Sequence, residues 1–170
     1  MDGTRRQLAG VGSALATTAL IALMFASSVV AKGPAVLHRV SVGGPDACSA
    51  MGAHPGCDGN YSFTATQYAD GTASGRYVDV FARGAGIMGV IDCVVVVGNH
   101  AWVSGRITSG RIGDLDLRGE PFTTLVVDNG TSANDPPDQI SSSHTFDPTP
   151  CTDMVSWDLF DIPQGQVSIN

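Results

Sequence analysis

Glutamate is almost missing from this chain: Glu120 is the only one, against fifteen aspartates. Chemistry built on paired carboxylates would have to use aspartates. Seven of these stand in turn contexts, at Asp46, Asp58, Asp70, Asp114, Asp128, Asp135 and Asp147, where such side chains bond nearby backbone groups. Other absences narrow the function further. No "GxSxG" occurs, so a serine elbow between strand and helix has no support. The four histidines, His38, His54, His100 and His144, lack the i, i+4 spacing of metal-binding helices. Lysine and arginine are few and unclustered, which argues against nucleic acid as a partner. No segment repeats apolar residues at helical spacing over three turns, so the domain is not helical.

One long apolar run is present, and it lies at the start. "MDGTRR" is basic, "LAGVGSALATTALIALMFA" is apolar, and Val29 and Ala31 are small residues placed for cleavage before Lys32. That is the three-part pattern of a secretory signal over residues 1–31. No later run is long enough to span, so no membrane attachment is expected after cleavage. Without residues 1–31 the charge is 7 − 15 = −8, counting Lys and Arg against Asp and Glu. The remaining 139 residues suit one all-β domain.

All four cysteines, Cys48, Cys57, Cys93 and Cys151, follow the signal. An even number in an oxidising compartment reads as two disulfides. The glycines and proline of "CSAMGAHPGC" favour a local Cys48–Cys57 loop, leaving Cys93 for Cys151. A metal site from Cys48, His54 and Cys57 is the alternative, and it lacks a fourth ligand.

Strand signals fill the rest. "VLHRVSVGG" alternates, and "YSFTATQYA" sets Tyr61, Phe63 and Ala65 on one face. Asp70-Gly71 and Gly98-Asn99 mark hairpin turns. "GIMGVIDCVVVV" is apolar and β-branched, as expected of a central strand covered on both faces. "FTTLVVD", "QISSSHTF", "DMVSWDLFDI" and the terminal "GQVSIN" add further strands. The last of these is a candidate free edge. Eight or nine short, mostly antiparallel strands predict a sandwich or barrel tied by disulfides. The "SGR" at Ser74, Ser104 and Ser109 marks bends where glycine relieves packing.

Two constellations suggest chemistry. Asp128, Asn129, Asn134, Asp135 and Asp138 crowd oxygen donors into "DNGTSANDPPD", which suits calcium, although the spacing is not that of a helix–loop–helix calcium loop. The plain alternative is a stiff inter-strand loop. Phe81, Trp102 and Trp157 either fill a core or line the cavity of a carrier for a small apolar ligand. No catalytic residue emerges.

The run "VVDNGTSANDPPDQIS", with "VIDCVVVVGNHAWVSGRIT" upstream, resembles a group of small exported bacterial β-proteins. In that group a "T-C-L-x-V-x-G-N-x-A" strand pair precedes "DNGxGANDPPDQIS", and a later cysteine and short terminal strand match Cys151 and "GQVSIN". The likeness runs from "HRVSVGG" onward, and "CSAMGAHPGC" departs from it. The resemblance implies an all-β fold, export and a shared Cys93–Cys151 disulfide, and it assigns no activity. The expectation is a secreted, non-catalytic module with a binding or structural role, its partner an extracellular protein or a small apolar ligand. An aspartate-based hydrolase is the enzymatic alternative.

Overall fold

Two tight reversals organise the chain, and long antiparallel strands grow from each. The computed structural model describes residues 33–44, 60–81, 85–162 and 164–170, with only the backbone at Phe81 and Ala85. Residues 1–31, Cys48 and Cys57 lie outside the described residues. The strands are β1 Val36–Gly44, β2 Asn60–Tyr68, β3 Ala73–Phe81, β4 Ala85–Val97, β5 His100–Ile112, β6 Leu115–Asp116, β7 Pro121–Val127, β8 Gln139–Ile140, β9 Phe160–Asp161 and β10 Gln166–Ile169. Gly71 (φ 84°) turns β2 into β3 and Gly98 (φ 60°) turns β4 into β5. Both positive angles are natural to glycine.

The strands form one sheet in the order β10-β1-β2-β3-β4-β5-β7-β8-β9, with β6 folded back onto β5. Every pairing is antiparallel. The architecture is therefore all-β, a single curled antiparallel sheet that forms a half-barrel. Its inner face holds the core. Tyr61, Phe63 and Ala65 of β2 point inward, as the alternation of that strand predicts, and meet Tyr77, Phe122, Ile87, Ile107 and Val103. Tyr77 stacks on Phe122 at 4.4 Å and meets Tyr61 edge-on at 5.5 Å.

These rings need room, and glycine supplies it. A methyl group at Gly89 would strike the Phe122 ring, and one at Gly75 or Gly105 would strike the backbone of the neighbouring strand. The "SGR" repeats thus mark places where the backbone of a neighbouring strand approaches closely.

Four expectations need correcting. β4 is central in order, but its first half is covered on one face only: Ile87 and Ile91 are buried, while Met88 is 51% and Val90 45% exposed. Trp102 and Trp157 are outside the core cluster, and both are only half-buried. "QISSSHTF" yields just β8 and one isolated bridge, Thr123 to His144, and "DMVSWDLFDI" yields just β9. The edge of β10 is covered rather than free, as described below.

The reason for the second and third is shared. The segment after β8 crosses the outer face of the sheet, held there by the disulfide from Cys93 of β4 to Cys151. Trp102 donates its indole N–H to Val155 O at 2.8 Å, and Trp157 stacks on His144 at 3.6 Å. The tryptophans clamp this segment from outside. A chain held by side chains needs no ladder.

Candidate functional site

The loop between β7 and β8 begins at Asp128 and ends at Asp138, and both carboxylates point back to the terminal strand. One face of β10 is hydrogen-bonded to β1, as where Asn170 N–H donates to Arg39 O at 2.9 Å. The N–H groups of Val167 and Ile169 point the other way, where a further strand would normally accept them. Instead Val167 N–H donates to Asp138 Oδ2 at 2.6 Å and Ile169 N–H to Asp128 Oδ2 at 2.8 Å. Two carboxylates from the far end of the sheet thus take the place of a strand and draw its ends together. The free edge of β10 is blocked to another chain.

The other carboxylate oxygens hold the loop itself. Asp138 Oδ1 accepts from Asn129 N–H at 2.7 Å, and Asp128 Oδ1 accepts from Gly130 N–H at 3.0 Å. Asn129 donates its amide to Pro137 O, and Asn99 from the β4–β5 turn donates to Asp128 O. Asp135 accepts from Ser132 N–H at 2.7 Å. Gly130, at φ 106°, lies against Asp135, where a Cβ would collide with the carboxylate.

The sequence places Asp128, Asn129, Asn134, Asp135 and Asp138 together, and the structure keeps them in one loop but gives them different work. Asp128, Asn129 and Asp138 form the seam. Asp135 and Asn134 stand exposed at the tip. Among the described residues no group of three or more His, Cys, Asp or Glu side chains is gathered as a metal ion would need. An open cleft of about 370 Å³ runs beside the loop, lined by Ser132, Asp135, Pro136, Pro137, Ile162 and Gln166.

The sequence reading missed a second polar group, inside the sheet. Asp79 is buried and accepts from Tyr77 Oη at 3.1 Å and Ser143 Oγ at 2.8 Å. Tyr61 Oη bonds Thr124 Oγ1, which reaches Ser141 Oγ at 3.2 Å. Ser141 also accepts from Leu125 N–H. The "SSS" of residues 141–143 therefore supplies hydroxyls that satisfy a buried carboxylate and tyrosine. The available signal was phase: Asp79 shares the inward register of Tyr77, two residues before it.

Burial raises the Asp79 carboxyl above its ordinary 3.8, and the hydroxyls of Ser143 and Tyr77 offset only part of that shift. Burial likewise raises the Tyr61 and Tyr77 phenols well above their ordinary range. A carboxyl raised on folding holds its proton more tightly in the native state. It therefore costs stability as pH rises from 3.8 through the raised native value, and nothing below. The Asp79→Asn variant removes that cost. Denaturant midpoints of wild type and variant, measured across this window, should diverge in favour of the variant with rising pH and then run parallel. A constant difference at every pH would show that Asp79 does not titrate differently on folding.

Of the proposed cavity residues, Trp102 and Trp157 face outward under the crossing segment, and the side chain of Phe81 lies outside the described residues. The Cys93–Cys151 bridge is consistent with an oxidising, extracytoplasmic environment, and no helix among the described residues is long and apolar enough to cross a membrane. Compared with known proteins, the chain matches no family model, no curated protein and no solved structure.

Proposed function

We propose that the chain is exported, loses residues 1–31, and acts outside the cytoplasm as a non-catalytic β-module with a binding or structural role. Its "DNGTSANDPPD" loop is a built-in clasp. One observation carries this reading: the carboxylates of Asp128 and Asp138 are occupied by the backbone N–H groups of β10. Acidic residues that close the fold are not free for catalysis. The carrier alternative is less favoured, because the inner face is filled by its own side chains. The hydrolase alternative is less favoured because the buried Asp79 carboxyl is hydrogen-bonded by the hydroxyls of Tyr77 and Ser143 and, among the described residues, not set against a second aspartate.

A calcium brace and a clasp that needs no metal predict opposite results. The test is a thermal melt of the exported protein, its mass first checked for cleavage before Lys32, in excess calcium and then in chelator. A ligand that binds the native state raises the midpoint with its concentration. The clasp predicts the same midpoint in both solutions. A midpoint that rises with calcium, and no longer does so in Asp135→Ala, would replace the clasp by an ion site.

A further inference from the structure

The outward side chains of the sheet sort by charge. Register places Ser41, Thr64, Arg76, Val90 and Arg106 in one row across β1 to β5. Val78 and Met88 stand opposite each other in the adjoining row. Two of the "SGR" arginines therefore flank Val90, with Met88 and Val80 beside them, all exposed. In a chain with so large an acidic excess these arginines would be expected to find carboxylates. Among the described residues, the side chains of Arg76 and Arg106 make no ion pair or hydrogen bond.

The complement lies on the same outer face. The crossing segment exposes Phe146 (71%) and Met154 (46%), with Asp147 and Asp153 next to them in sequence. It is strapped there by Cys93–Cys151 and by Trp102. An open cleft of about 270 Å³ is lined by residues of both regions, Asp92 and Arg106 from the sheet and Pro148, Thr149 and Pro150 from the crossing segment. A basic-apolar patch and an acidic-apolar patch thus adjoin on one surface. Such a surface complements itself under two-fold rotation, since each patch of one copy meets the other patch of its mate. Exposed arginine, methionine and phenylalanine are also the residues enriched in protein interfaces.

We infer that the chain forms a closed two-fold dimer through this face. Arg76 and Arg106 of one copy meet Asp147 and Asp153 of the other, and Met88 and Val90 pack against Phe146 and Met154. An anionic lipid surface is a poorer match, because the acidic patch would be pressed against it. The inference deepens the binding role proposed above by naming the partner as a second copy. Failure of the clasp would appear in the melts, and failure of the dimer appears in sedimentation alone.

Two chains of like net charge repel at long range, so salt dependence mixes that repulsion with the local pairs. Charge exchange separates them. Sedimentation velocity of the exported protein over a concentration series should show a monomer–dimer equilibrium. The pair Arg76→Glu with Arg106→Glu should weaken it roughly tenfold or more, as should Asp147→Arg with Asp153→Arg. An equimolar mixture of the two variants should dimerise again, because both contacts regain opposite charges. Misfolded chains would not restore each other, so the mixture also controls for folding. Wild type that stays monomeric throughout overturns the proposal. So does a dimer indifferent to both exchanges, a mixture that remains monomeric, or a monomer that binds vesicles of anionic phospholipid.

Discussion

Removing both cysteines of the bridge, as Cys93→Ala with Cys151→Ala, should cost about 4 kcal/mol of unfolding free energy by loop closure alone. The cysteines are 58 residues apart, so in the unfolded chain the bridge closes a long loop. The bond does more than restrict the unfolded state. Cys151 is fully buried in the 3-10 turn Cys151–Asp153, and its N–H donates to Ser104 Oγ of β5. Among the described residues, the stretch that follows is held to the sheet by the Trp102 bond, the Trp157–His144 stack, the two-residue strand β9 and Ile162, whose N–H donates to Asp138 O. The loss should therefore come in two parts: a lower urea midpoint for the whole domain, and earlier exposure of both tryptophans. Tryptophan fluorescence and far-ultraviolet circular dichroism, which coincide in wild type, should separate in the variant. A cost below about 1 kcal/mol with coincident transitions would show that the bridge is incidental to an already ordered crossing segment.

The fold was legible where its causes are local. Asp70-Gly71 and Gly98-Asn99 set their hairpins through backbone angles, and the Tyr61, Phe63, Ala65 phase of β2 chose its face correctly. In β3 the alternation of "GRYVDVFAR" sets Val78 and Val80 opposite Tyr77 and Asp79 without saying which pair turns inward. Val78 and Val80 face out, and Tyr77 with Asp79 faces in, because Ser143 offers Asp79 a hydroxyl from 64 residues away. The apolar run of β4 suggested cover on both sides, yet nothing crosses Met88 and Val90 among the described residues of a single chain. The tryptophans were misplaced for a related reason. Their covering segment is positioned by a disulfide, and alternation within a strand carries no information about that. The loop was found from its composition, but its work depends on β10. Val167 and Ile169 lie 29 and 41 residues beyond the aspartates that hold them, so local sequence showed oxygen donors without showing what they accept.

That distance makes the aspartates separable by experiment. Asp138→Ala should cost about 3 kcal/mol, because it strands two donors, Asn129 N–H and Val167 N–H, at a site only 6% exposed. Each unmet buried group costs about 1–3 kcal/mol. Asp138→Asn keeps one carbonyl oxygen and turns an N–H donor toward the other partner, so about half the loss should remain. Asp135→Ala removes one bond, from Ser132 N–H within its own exposed loop, and should cost under about 1 kcal/mol. Urea unfolding ranks the three. Amide exchange then locates the damage: in Asp138→Ala the amides of Asn129 and Val167 should lose protection, while those of Tyr77 and Val103 in the interior keep theirs. An Asp138→Ala cost no larger than that of Asp135→Ala would mean that β10 is held by β1 alone and that the carboxylates only decorate the seam. The predicted order would instead show a strand edge closed by side chains where the sheet runs out of strands.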